Sequence, residues 1–245
     1  MKKAILTVSF GASCKKAVES CIRPVEEALK RAFPEHEVRR AFSSRKIIKK
    51  LRGQGVSISN AVEELEKLRS EGYEEIAIVP THILHGGEYE MVMEAAGGRP
   101  VSEALLENEE DLDWMAKLLA RIAAEEAQPL LMMGHGTEHA ADESYAQLRK
   151  KLPENVFLAC ASGEHRLEKL LPELMKLPEK KITLMPLMLV AGRHAGRDLA
   201  GDAEDSWKSI LEARGFEARI RMQGLGSLEE VQQKFVEKAK KAVCR

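Results

Sequence analysis

Aromatic side chains are scarce in this chain of 245 residues, at 4%. Surfaces that stack nucleic-acid bases draw on such rings, so a stacking platform for single strands is not expected. Net charge is scarce too. Lys and Arg number 38 against 39 Asp and Glu, giving −1, and no global field draws the chain to nucleic acid or a membrane. A polyanionic partner must be held by a local basic patch. The four cysteines, Cys14, Cys21, Cys160 and Cys244, form no CxxC pair, so the expectation is reduced thiols in a cytoplasmic protein. No apolar run approaches the ~18–20 residues of a membrane span. The apolar run in MKKAILTVSFGAS is about six residues, shorter than the ~7–15 of a signal-peptide core, and reads as a first β-strand. GxSxG, P-loop, GxGxxG and HExxH patterns are absent, which removes the commonest hydrolase and nucleotide-binding readings.

What the chain does have is alternation. Apolar runs of strand length alternate with segments of helical periodicity. Strands are expected at 4–10, 37–42, 75–80, 129–133, 156–159, 181–190 and 217–221, with a short one at 101–105. Helices are expected at 15–32, kinked or divided by Pro24, and at 45–51, 60–70, 88–96, 109–126, 141–151, 164–177, 202–213 and 228–243. Ser227 is a candidate N-cap for the last helix, with Glu230 three residues on. The fold class is α/β: two similar lobes, each a mostly parallel sheet flanked by helices, with the active-site cleft between them. The division expected is 1–108 for the first lobe and 109–245 for the second, with the last helix able to pack across both.

The halves resemble each other. AILTVSFGAS matches PLLMMGHGTE around Gly11 and Gly136, FSSRKIIKKL loosely matches ASGEHRLEKL, and IAIVPTHILHGGE matches ITLMPLMLVAGRH around Pro80 and Pro186. In this alignment His135 corresponds to Phe10 and His194 to Glu88.

Parallel sheets bind ligands past the carboxyl ends of their strands. The run 181–190 leads into AGRHAGRD, with His194 between Arg193 and Arg197, and 129–133 leads into GHGTEH, with His135 between two glycines. Two strands delivering one imidazole each would make a divalent-metal site. The alternative for His135 is a loop histidine capping the next helix, and for Arg193 and Arg197 a solvated basic loop. Guanidiniums there suit carboxylates, which they bind bidentately. His139 lies near the start of the next helix. In THILHGGEYE, Glu88 is a candidate ligand or proton shuttle and His85 a candidate substrate contact, while His82 reads as a histidine of the core or one that supports a ligand from behind. A basic cluster runs from Arg39 to Arg52. It is either a solvated helix face or a carboxylate-binding rim made by Arg40, Arg45 and Lys46. SFGAS, with Ser9 and Ser13, can offer backbone N–H groups to an anion.

SFGAS, RAFSSRKIIKKL, THILHGGEYE, MGHGTEH, MPLMLVAGRHAGRD and GDAEDSWK stand in one order along the chain. Together they resemble the anaerobic-type sirohydrochlorin cobaltochelatases, the CbiK class of class II chelatases. The resemblance implies ATP-independent insertion of Co²⁺ into sirohydrochlorin, or precorrin-2, in cobalamin biosynthesis. It implies no cofactor beyond Co²⁺ as substrate metal. The partners are a tetrapyrrole and a divalent metal, with no nucleic acid or membrane, and a homo-oligomer is allowed. By this resemblance His135 and His194 are metal ligands. The family's third ligand, a glutamate in a VEGYP-like stretch, falls on Ser162 of CASGEH, which leaves Glu164, Glu88 or water to fill that place. The catalytic set is then His135, His194 and Glu88. Ser9, Arg40, Arg45, Lys46, His85, Arg193 and Arg197 contact an eight-carboxylate macrocycle. Neutral imidazoles are needed, so activity is expected to fall well below pH ~6.5. The rivals are a chelatase for Fe²⁺ or Ni²⁺ and a non-catalytic tetrapyrrole- or metal-binding protein.

Overall fold

A computed structural model describes residues 1–192 and 195–244. His194 and Arg193, two of the expected site residues, lie outside the described residues. The elements in chain order are β1 (Lys2–Ser9), α1 (Lys15–Ala17), a π-helical turn (Val18–Ile22), α2 (Arg23–Ala32), β2 (His36–Phe42), α3 (Arg45–Gly53), α4 (Ala61–Ser70), β3 (Tyr73–Pro80), α5 (Gly87–Ala96), α6 (Glu109–Glu126), β4 (Leu130–Gly134), α7 (Glu143–Lys151), β5 (Val156–Cys160), α8 (Leu167–Leu174), β6 (Lys181–Pro186), a π-helical turn (Ala195–Leu199), α9 (Trp207–Glu212), β7 (Glu217–Ile220) and α10 (Glu229–Val243). Pro24 is the second residue of α2, directly after the π turn, and the chain stays helical across it. None of the described helices is long and apolar enough to cross a membrane.

Two compact units result. The first comprises Met1–Glu107 and the residues from Gly226 onward. Its sheet is parallel, in the order β2-β1-β3. One face buries Leu6, Val8 and Ile78 against Leu65 and Leu68 of α4 and Val92 of α5. α2 and α10 pack together, and α10 also packs on β3. The second unit, Asn108–Leu225, has the parallel order β5-β4-β6-β7. Leu131, Met133, Leu184, Leu170, Leu174 and Trp207 are among its buried cluster.

The expected division placed α10 with the second lobe; the structure places it in the first. The physical reason is its apolar stripe. Val231, Phe235, Val236, Ala239 and Ala242 are buried, and the partners of this helix are α2 and β3. Lys238, only 3% exposed, reaches Glu103 of the same unit at 3.2 Å. Three local expectations also change. Residues 101–105 make one bridge, Val101 to Ile78, rather than a strand. β6 stops at Pro186, which has no ladder donor, well before residue 190. The N-cap of α10 is Leu228, because Ser227 closes a 3₁₀ turn with Leu225.

The repeat holds at the level of hydrogen bonds. Val8 pairs with Pro80 as Met133 pairs with Pro186. Thr81 N donates to Val8 O (2.9 Å) as Leu187 N donates to Met133 O (2.8 Å). Ser43 N donates to Ser9 O as Ala161 N donates to Gly134 O, and Ser44 N to Phe10 O as Ser162 N to His135 O. Ser44, not Ser43, is therefore the counterpart of Ser162, a shift of one residue from the sequence alignment. Phe10 and His135 are equivalent, as the alignment had them.

Candidate metal and tetrapyrrole site

His135 follows the last residue of β4 and is exposed. Its neighbours must be glycine. A Cβ on Gly134 would lie 3.0 Å from the Cys160 thiol and the Tyr145 ring, and one on Gly136 would lie 2.0 Å from Ser162 O. Gly136 also has φ +77°. The His135 Nδ1 sits 3.0 Å from the Gly136 carbonyl. A carbonyl only accepts, so in the neutral ring Nδ1 carries the proton and Nε2 the lone pair, the arrangement that metal-binding imidazoles adopt. The phenol of Tyr145, deeply buried beneath this loop, is pushed up by desolvation above all. The Cys160 thiol is likewise pushed up to about 12 by burial, then by Asp142. It stays protonated and offers no thiolate.

Ser162 is tied to the same loop. Its N–H and its hydroxyl both donate to His135 O, at 3.1 and 2.9 Å. Residues 164–166 do not start α8 as expected. Cys160 N donates to His165 O, and Cys160 bridges to Arg166, which keeps this stretch extended until Leu167. Glu164 is 77% exposed with Lys169 at 3.6 Å, and no described contact joins it to His135. Asp142 accepts from Thr137 N at 3.2 Å and stands 3.6 Å from His165 Nε2, linking the two loops. His139 accepts from Ala141 N, so it opens a 3₁₀ turn. Arg197, in the π turn that follows His194, is 70% exposed, 3.8 Å from Asp198. Among the described residues no group of three His, Cys, Asp or Glu side chains is arranged to hold a metal ion.

At the corresponding strand ends of the first unit, two expected substrate contacts are otherwise engaged. Ser9 is buried and its hydroxyl meets that of Thr81 at 2.7 Å. It ties β1 to β3 instead of facing solvent. Arg40 is bidentate to the buried carboxylate of Glu26, with Nε at 2.6 Å, and this pair also anchors Thr7. Arg45 and Lys46, in the first turn of α3, are exposed and form no ion pair among the described residues. His85 Nδ1 lies 2.8 Å from Glu107 and its ring sits 4.2 Å from that of Tyr89. Tyr89, whose hydroxyl donates to Ser102 O, is pushed up to about 12 by burial. Glu88, in the first turn of α5, has one buried carboxylate oxygen without a hydrogen-bond partner. His82 is pushed down to about 4 by burial; its Nε2 is 3.3 Å from Ser43 Oγ and its Nδ1 is buried without a partner. Glu107 and Tyr89 carried no sequence signal, since Glu107 meets His85 only through the fold.

The profile of the cobalt chelatase family (CbiK) matches residues 3–244. The chain belongs to the CbiK cobalt chelatase family. Among curated relatives of this chelatase, the sirohydrochlorin cobaltochelatase of Salmonella typhimurium is 34% identical, over 96% of this chain and 94% of its own. The sirohydrochlorin cobaltochelatase CbiKC of Nitratidesulfovibrio vulgaris is 33% identical, over 93% and 86%. A solved structure of CbiX, described as the terminal enzyme for biosynthesis of siroheme in denitrifying bacteria, superposes with a TM-score of 0.58 at 17% identity. It covers 98% of this chain and 99% of its own. At that identity CbiX shares the fold, and this chelatase is an enzyme by its family.

Proposed function

We propose that this enzyme inserts Co²⁺ into sirohydrochlorin, or its precursor precorrin-2, without ATP, on the anaerobic route to cobalamin. The match of nearly the whole chain to the cobalt chelatase family carries this reading. Metal ion and macrocycle are both substrates. His135 presents the Nε2 lone pair, and His194 is the second imidazole. Ser162 replaces the carboxylate implied by the resemblance. Its hydroxyl is a weak ligand for a divalent ion and already donates to His135 O. The third position then falls to Glu164 or to water, and water there leaves open coordination that releases the metal readily to a ring nitrogen. As the metal enters, two pyrrole N–H protons must leave. Glu88, whose carboxylate has one buried oxygen without a hydrogen-bond partner, is the residue proposed to accept them. Arg193, Arg197, Arg45 and Lys46 are the cations assigned by this reading to the ring's carboxylates.

The test is anaerobic absorbance spectroscopy of sirohydrochlorin with Co²⁺ at catalytic protein concentration. Many turnovers to the metallated ring, lost in His135→Ala, are expected. A change that stops at one equivalent would instead mean a binding protein. A second reading is insertion of Ni²⁺, which intrinsic ligand affinity ranks above cobalt, or of Fe²⁺, which it ranks below, because Ser162 withholds the carboxylate that would help to select the ion. Parallel assays with each ion decide it.

A further inference from the structure

In the first unit Phe10 occupies the position that His135 holds in the second. Each follows the last residue of its central strand, each carbonyl accepts from a serine N–H (Ser44 at 3.3 Å, Ser162 at 3.1 Å), and each precedes a glycine with positive φ. The second unit presents an imidazole there; the first presents a benzyl ring. Phe10 is 48% exposed and is the only aromatic among the exposed large hydrophobic residues described. Phe42, Phe157, Phe216 and Phe235 are all buried. The backbone holds Phe10 in place, for Gly11, at φ +99°, lies so close to Phe42 that a Cβ would meet its ring at 2.6 Å.

The cations stand next to it in the fold. The serine that binds Phe10 O is the N-cap of α3, and the next two residues are Arg45 and Lys46, both exposed. A helix N-terminus carries partial positive charge, so two cations in the first turn raise the energy of the unliganded protein and lower it once an anion arrives. An exposed apolar ring whose carbonyl is bonded by the N-cap of a helix that opens on two exposed cations fits one ligand chemistry: a flat conjugated macrocycle edged with carboxylates.

We propose that Phe10 is a stacking platform for the tetrapyrrole ring, with Arg45 and Lys46 pairing its peripheral carboxylates. This rests on the tetrapyrrole reading above and adds the residue that holds the ring's face. The experiment is titration of metal-free sirohydrochlorin, followed by absorbance, into wild type and into Phe10→Ala, Phe10→Leu and Phe10→Tyr. Phe10→Ala is expected to weaken ring binding by about tenfold or more, Phe10→Leu less, and Phe10→Tyr by no more than about twofold. KM for the ring rises in parallel while kcat and Co²⁺ binding stay near wild type. Wild-type ring affinity in Phe10→Ala, or equal losses in the Ala and Tyr variants, would overturn the proposal. So would a changed oligomeric state in Phe10→Ala by light scattering, because Phe10 would then be a contact between copies. If wild type binds the ring in a Phe10-dependent way yet inserts no cobalt, the cobalt reading fails and this one stands. If wild type inserts cobalt and the Phe10 variants match it, only this one fails. If wild type binds no ring, both fail.

Discussion

At Gly136 the loop that carries His135 lies in backbone contact with Ser162. An added methyl would overlap Ser162 O and sit at a φ that alanine disfavours. Gly136→Ala is therefore expected to lower the stability of the second unit by about 2 kcal/mol or more, and to weaken Co²⁺ binding, read by denaturant unfolding and metal titration. Ser162→Glu places a carboxylate on the residue whose hydroxyl now meets the His135 carbonyl. Tighter Co²⁺ binding with slower release to the ring is its expected outcome, and a Co²⁺ affinity equal to wild type would mean that residue 162 does not face the metal. His82 gives a pH effect on stability. Burial holds it down to about 4 from 6.5, so the unfolded chain binds the extra proton between those values. Stability is then full above pH 6.5 and falls on acidification toward pH 4. His82→Phe should flatten that part of the pH–stability curve, with the similarly depressed His36 left to supply the remainder.

At the scale of elements, α10 completes the first unit. Deleting the chain from Gly226 onward uncovers the apolar surface under Val231, Phe235 and Ala239. The expected result is a first unit with fast amide hydrogen exchange in β1 and β3, while β4 and β6 of the second unit stay protected. The helix itself was legible from its period, but its packing partner was not, because an apolar stripe does not say which sheet it will meet. Where local chemistry decides, sequence reading was close: α6 runs over the span expected, 109–126, behind an Asn108–Asp111 capping box. Where tertiary context decides, it was not. Residues 101–105 have strand-like composition but reach only one bridge. The same divide runs through the candidate site. The position of His135 at a strand end between glycines could be read from spacing. The engagement of Ser9 by Thr81 and of Arg40 by Glu26 could not, since those partners lie 72 and 14 residues away.

For the whole molecule, a net charge of −1 means that any attraction for a carboxylate-rich ring is local. Screening acts on the exposed cations that pair the ring's carboxylates, so KM for the tetrapyrrole should rise with ionic strength between about 50 and 500 mM salt, while kcat holds. Arg45→Ala combined with Lys46→Ala should raise KM at low salt and shrink the salt dependence. A salt response unchanged in that double variant would remove these residues from substrate capture. The division into units has a consequence of another kind. The first unit is built from two stretches separated by the entire second unit, and α10 covers β3 only after Asn108–Leu225 has been made. On the ribosome the middle of the chain can therefore finish folding while the beginning waits, its sheet half-covered, for the last helix to emerge. During that interval an exposed apolar sheet face is available to chaperones and to aggregation alike, so the speed with which the final segment is translated helps to set the yield of active enzyme.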